Sequence, residues 1–202
     1  MQFDILPLFS SPLTLTKLNQ DTDSILEQLK ETEYIDTLDS TNQQTNIQSK
    51  ISKSKNILES FPALQKEIVE HLSSYIKDVM RYEDLDFKIT SSWSTLTPPG
   101  HSGESHCHKN SWLSGVFYPQ DGSNILFSDG YQFFYHEPSE YNLWNSSKWA
   151  IPAEKNLLIF FPSHLNHQIT SNTSSTNRHS IAFNVFPRGV WGEGDSINST
   201  VS

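Results

Sequence analysis

The sequence predicts a mainly β fold, α+β in character, with helices confined to its N-terminal region. Two observations carry that reading. After Arg81 the chain breaks into short aromatic and β-branched runs: "DFKITSSWSTLT", "SWLSGVFY", "NILFS", "YQFFYH", "NLLIFFP", "HQIT" and "RHSIAFNVF". Turn formers separate them, among them "TPPGHSG", "PQDGS", "SDG" and "TSNTSSTN". Many short strands with that punctuation build a sandwich or barrel, not a βαβ sheet. Before Arg81, apolar residues recur instead at helical spacing.

Taken in order, residues 1–20 open with a short strand and a Pro-bearing loop. Residues 21–30, "DTDSILEQLK", form a short helix: Asp21 or Asp23 can cap it, and Ile25, Leu26 and Leu29 make one stripe. Residues 36–54 are polar and low in complexity, and read as a partly mobile loop. Residues 60–82 are the clearest helix, with Ser60 as N-cap and Pro62 in the first turn, where its missing N–H costs nothing. Leu64, Ile68, Leu72, Ile76 and Val79 form its apolar face, packed on the outside of a sheet. Strands fill residues 86–190, with a loop-rich segment at 129–153 over one end, and the tail 191–202 frays. The whole is expected to be a single domain over residues 1–202, with an N-terminal region at residues 1–85 and a catalytic core at residues 86–190.

Composition narrows the function. The chain has 202 residues, 35% of them hydrophobic and 12% aromatic, enough to bury a core. A net charge of −9 argues against a surface built to bind nucleic acid. One cysteine, Cys107, excludes an intrachain disulfide. The start "MQFDILPLFSSPL" lacks a basic segment followed by a long apolar run, and no stretch reaches about 18 apolar residues. A cytoplasmic protein without a membrane anchor is the expectation.

The chemistry concentrates in three places. In "GESHCHKN", His106 and His108 flank Cys107. On an extended chain both imidazoles face one side, which suits chelation of one ion. In "LLIFFPSHLNH", an apolar strand ends at Pro162 and His167 follows. In "NRHSIAFNVF", Arg178, Ser180, Ala182 and Asn184 share one strand face and His179, Ile181, Phe183 and Val185 the other. A polar face on an apolar strand points to a polar pocket inside a barrel.

Together these elements read W-x(12)-H-x-H-x(4)-L-S-G-V-x-Y, then F-P-x-x-L-x-H, then R-x-S-I-A-F-N, from Trp93 to Asn184. That pattern resembles the 2-oxoglutarate/Fe(II)-dependent dioxygenases, and within them a family of oxygenases of bacteria and phages. The resemblance implies a double-stranded β-helix, a jelly-roll barrel like that of cupins, buttressed by the N-terminal helices. It implies Fe(II) on His106, His108 and His167. It implies 2-oxoglutarate on the metal, its distal carboxylate on Arg178 and Ser180, with Ser114 and Asn184 lining the pocket. O2 is then the oxidant, and an unidentified small molecule or peptide is hydroxylated with release of succinate and CO2. Guanidinium suits a carboxylate because it offers two parallel charge-assisted hydrogen bonds.

Departures are visible. The wider superfamily holds iron with two His and a carboxylate, whereas His108 occupies the carboxylate's place. Glu104 could substitute as a ligand if the strand extends that far. Asn156 stands where a turn Gly is expected, and Asn tolerates positive φ. His164 replaces an aromatic and reads as exposed; His101 could touch substrate. Three rival readings exist. A cupin-type metalloprotein without 2-oxoglutarate would use the same histidines, but Trp112 or Leu113 stands in place of its Glu. A non-catalytic jelly-roll module would hold zinc or nothing. A three-His zinc hydrolase would need a general base, for which no dedicated residue is evident. An exposed aromatic loop would permit a homodimer.

Overall fold

The computed structural model describes residues 4, 6–7, 9–36, 49–129 and 138–200. The expected strand "YQFFYH", with Phe133, Phe134 and Tyr135, lies outside the described residues, as does most of the polar loop (37–48).

Two antiparallel sheets face each other. The larger has the order β1 (Thr14–Lys17), β8 (Leu157–Pro162), β5 (Leu113–Tyr118), β10 (Arg178–Trp191), β4 (Asp86–Thr97), β3 (Lys50–Ser52), β2 (Tyr34–Asp36). The smaller is β7 (Lys148–Ala153), β6 (Gly122–Ser128), β9 (Asn166–Ile169). Cross-strand register shows what each face is for. Ile181, Phe117 and Leu158 stand side by side, as do Phe183, Gly115 and Phe160. This outer face packs on the helices α1 (Thr22–Lys30) and α2 (Pro62–Ser74) in one buried cluster with Ile25, Leu29, Leu64, Ile68 and Leu72. The inner face, with Val116, Ile159 and Phe161, meets Ile125 and Phe127 of the smaller sheet. The Phe127 and Phe161 rings meet edge to face at 4.9 Å. Alternation of period two thus produces two cores on opposite sides of one sheet.

Several expectations need correction. Asp21 does cap α1, its Oδ1 accepting from Ser24 N at 3.2 Å. Ser60, however, closes a 3-10 turn (Ile57–Ser60), and Phe61 takes the N-cap position of α2 without a side-chain bond. α2 then passes into a π-turn, Tyr75–Val79, closed by Met80 N to Tyr75 O at 3.0 Å. The extra residue in that turn rotates Val79 off the apolar stripe: Ile76 is 2% exposed and Val79 51%. Lys50–Ser52, read as loop, is a strand because β4 supplies Leu96 and Thr95 as pairing partners. Lys148–Ala153 likewise forms a strand on β6. The tail is partly held, Asn198–Thr200 pairing with Gly189–Trp191. Asn156 sits at φ +66°, as its place before β8 requires, with its side chain bridging Gln20 N and O. No helix among the described residues is long and apolar enough to cross a membrane.

Gly115 is the tightest point of the larger sheet. A Cβ there would overlap the buried Phe183 ring and stand 3.0 Å from Ile159 O. Gly115→Ala is therefore expected to destabilise the fold by about 1–3 kcal/mol, read by denaturant unfolding. An unchanged midpoint would mean the Phe183 ring moves freely.

Candidate metal centre

His106, His108 and His167 come together although only one of them lies on a regular strand. His167 is on β9, opposite Phe127 of β6. His106 belongs to an irregular segment that docks on β9 by an isolated antiparallel bridge. His106 N donates to His167 O at 3.0 Å, and His167 N donates to His106 O at 2.9 Å. Residues exchanging both bonds present their side chains to the same face, and the rings lie 4.5 Å apart, centroid to centroid. His108 N donates to Ser163 O at 2.9 Å, just past β8. The same-side geometry expected of an extended H-x-H is thus present, but two docking points create it rather than a continuous strand.

Each ring is held through Nδ1. His106 Nδ1 lies 2.9 Å from Glu104 O, and His167 Nδ1 2.9 Å from Leu165 O. His108 Nδ1 lies 2.6 Å from Asn184 Oδ1 and 2.8 Å from Ser114 Oγ. A carbonyl or amide oxygen only accepts, so each Nδ1 carries the proton and each neutral Nε2 carries a lone pair. The Nε2 atoms of His106 and His108 then face each other at 3.1 Å as two acceptors. Two acceptors at that distance repel unless a cation lies between them. One ligand atom from each of the three residues lies within 4.8 Å of the others. Burial holds the His108 pKa below its usual value and pulls His167 down to about 4, which favours the neutral, metal-binding form. Phe161 stands edge-on to His167 at 4.8 Å and Trp93 edge-on to His108 at 5.5 Å, fixing the rings from behind.

The triad opens into a cavity of about 210 Å³ between the sheets, lined also by Trp93, Thr95, Val116, Tyr118, Ile125, Ile169 and Ser180. Ser49 and Ile51, in the stretch expected to be a loop, form part of its wall. Arg178 follows on the same β10 face, opposite Thr97. It is 1% exposed, and its guanidinium lies 4.9 Å from the centre of the Tyr118 ring. Among the described residues Nε, Nη1, Nη2 and Tyr118 Oη make no hydrogen bond of full geometry, and the Tyr118 phenol is the group whose interaction partly offsets the burial of the guanidinium. Burial lowers the Arg178 pKa and pushes Tyr118 up to about 12. A Cβ at Gly122 would come within 2.9 Å of Arg178 Cδ, so that glycine makes room for the arginine stem. A buried guanidinium with a neutral phenol as its neighbour is costly to desolvate, and an incoming carboxylate would relieve it.

Other candidates fall elsewhere. Ser180 lines the cavity. Ser114 and Asn184 lie behind the His108 ring and are not on the cavity lining. Glu104 is at the cavity edge; its backbone oxygen serves His106, and its carboxylate is not grouped with the three histidines. His164 is exposed, and His101 Nδ1 is taken by Pro99 O at 2.9 Å. Two further residues belong to the site without having been expected there. Tyr118 shares a β5 face with Ser114 and Val116, and that alternation could have found it. Ser163 bonds Ser114 Oγ at 2.7 Å, and nothing in the sequence announces it.

Residues 91–184 match the family model described as "Putative 2OG-Fe(II) oxygenase". No curated protein matches the chain. Among solved structures, a Pseudomonas putida prolyl-4-hydroxylase aligns with TM-score 0.56 and 14% identity, covering 88% of this chain and 94% of that one. A Trichoplax adhaerens prolyl hydroxylase in complex with a hypoxia inducible factor peptide fragment aligns with TM-score 0.54 and 13% identity, over 86% and 83%. HygX of Streptomyces hygroscopicus, with nickel, 2-oxoglutarate and hygromycin B bound, aligns with TM-score 0.56 and 10% identity, over 88% and 83%. These likenesses establish the double-stranded β-helix.

Replacing Arg178 by Met removes a desolvated charge and keeps the volume. The ligand-free protein is expected to unfold at an unchanged or higher temperature, a gain of up to about 4 kcal/mol. A loss above about 1 kcal/mol would show that protein groups already compensate the guanidinium.

Proposed function

We propose, for a chain whose segment 91–184 belongs to the family of 2OG-Fe(II) oxygenases, that His106, His108 and His167 hold Fe(II) and that Arg178 holds the distal carboxylate of 2-oxoglutarate. One observation carries this reading: the buried guanidinium of Arg178, with no carboxylate partner among the described residues, stands on the β10 face whose Ser180 and Ala182 line the histidine cavity. A cupin-type centre, a zinc hydrolase or a passive module gives that cation no purpose.

When bound, iron and 2-oxoglutarate supply the oxidation, in which O2 is consumed, succinate and CO2 are released and one oxygen atom enters a substrate C–H bond. The chain's own residues do the rest. The three Nδ1–H groups stay on their acceptors, so the imidazoles present fixed lone pairs. Arg178 orients the cosubstrate through two parallel hydrogen bonds, and Ser180 adds a donor. Tyr118 Oη, buried beside the guanidinium, is a further donor for the same carboxylate. Val116, Ile125, Phe161 and Ile169 keep bulk water from the reacting atoms. The family and the fold make the protein an oxidoreductase. The substrate is a peptide or a small molecule, as in the two prolyl hydroxylases and in HygX. The single cysteine suits the cytoplasm, where we place the enzyme, and the net charge of −9 disfavours a nucleic acid. The exposed Tyr141, Leu143, Trp144 and Trp149 offer a surface on which two copies could meet.

The test is an anaerobic melt of metal-stripped protein with Mn(II), with and without 2-oxoglutarate. Metal should raise the melting temperature, and 2-oxoglutarate should raise it further only when metal is present. His167→Ala should lose both increments. Arg178→Met should keep the metal increment and lose the cosubstrate one, because its partner charge is gone. A full 2-oxoglutarate increment in Arg178→Met would sink the carboxylate assignment. Succinate release over a panel of peptides and small molecules then identifies the substrate.

A further inference from the structure

The cross-strand row that supports His108 is polar over three strands, before Phe161 of β8 continues it. Ser91 of β4 faces Asn184 of β10, which faces Ser114 of β5. Asn184 Oδ1 is 2.6 Å from His108 Nδ1 and accepts from Ser114 Oγ at 2.9 Å, while Asn184 Nδ2 donates to Ser91 Oγ at 3.4 Å. Ser114 Oγ also meets Ser163 Oγ at 2.7 Å, and Ser114 and Ser163 are 1% and 0% exposed. With the amide oxygen toward the imidazole, Nδ2 is left to donate to Ser91.

The partner's chemistry matters as much as its place. A carboxylate behind a ligating histidine pulls on the Nδ1 proton and makes Nε2 a stronger donor to metal. An amide oxygen fixes the tautomer and adds no charge. The centre therefore carries no anion in its ligand set or directly behind His108, and Arg178 adds a buried cation on the same strand face. Among the described residues Glu104 is the acidic side chain on the cavity lining, and it is exposed. A neutral ligand set beside a buried guanidinium leaves an incoming dianion opposed only by that solvated carboxylate.

We infer that Asn184 is a positioning residue: its neutral amide fixes His108 for the metal while keeping the cavity positive enough for a dianionic cosubstrate. This rests on the iron and 2-oxoglutarate reading above. It predicts shifts of opposite sign. Asn184→Asp should bind the metal about tenfold more tightly, since partners behind a ligand are worth about 10–100-fold in affinity. The same variant should bind 2-oxoglutarate more weakly by about tenfold, because a new negative charge behind the His108 ring repels the dianion across it. Asn184→Ala should lose about tenfold in metal affinity and leave 2-oxoglutarate within about twofold of wild type, as no charge changes.

The experiment uses the full chain, anaerobic and free of other metals. Free Mn(II) is counted by electron paramagnetic resonance, and 2-oxoglutarate affinity is read at saturating Mn(II). Shifts of opposite sign in Asn184→Asp establish the role, since a purely structural effect weakens both ligands. Shifts of the same sign, or none, overturn it. Should a carboxylate at that place prevent folding, Asn184→Ala and Ser114→Ala decide: metal affinity must fall with 2-oxoglutarate affinity kept, and wild-type metal affinity in both overturns the inference. A wild-type chain that binds no Mn(II) would overturn the iron reading itself, which separates the two failures.

Discussion

Two backbone hydrogen bonds decide where this centre stands. His106 and His167 exchange N–H and C=O across a bridge that belongs to neither sheet proper. Without that exchange nothing would hold His106 beside His167, and the His108 bond to Ser163 O would be left to dock the pair near the site. With it, the segment becomes a partial second neighbour for β9, beside β6. Gly103 N reaches Ile169 O at 3.0 Å, and Asn172 N reaches His101 O at 2.8 Å, extending the same alignment. Asn172 secures the far end: it is 1% exposed, and its side chain reaches Thr97 O and Thr176 O.

β10 carries the second constraint. Its inner residues, Arg178, Ser180, Ala182 and Asn184, run from a buried cation to the support of the His108 ring. Its outer residues, Ile181, Phe183 and Val185, close the core under the helices. His179, also outward, bonds Tyr34 Oη at 3.0 Å and so ties β2, and through it β3, to the same strand. Since β3 contributes Ile51 to the cavity wall, chemistry and core share one backbone. The strain of burying a guanidinium without a carboxylate partner is borne by a strand that hydrophobic packing already holds.

Much of this is legible in the sequence because it depends on local period. The faces of 178–185, the apolar stripes of α1 and α2 and the positive φ of Asn156 all follow from residue type and spacing. The H-x-H pair does face one way, as strand alternation predicts, yet alternation is not the cause: two docking bonds are. What stays hidden depends on partners far along the chain. The face of Ser114 and Asn184 is readable and suggests the pocket wall; that His108 folds back over them depends on where residues 106–108 dock. Lys50–Ser52 carries no strand signal of its own and becomes one through β4. Val79 leaves its stripe because a single wider turn follows α2, a local event that apolar spacing does not encode.

The partition of β10 also bears on how such a protein can change over generations. A one-residue insertion after Arg178 would exchange the two faces beyond it, putting His179 where Ser180 stands and Phe183 where Asn184 stands. Core and chemistry would fail together, so the strand's length is locked. The exposed aromatic stretch 141–149 has no such double duty, for its residues neither line the histidine cavity nor close a core. Its sequence can therefore drift without disturbing either, a freedom the strand does not share.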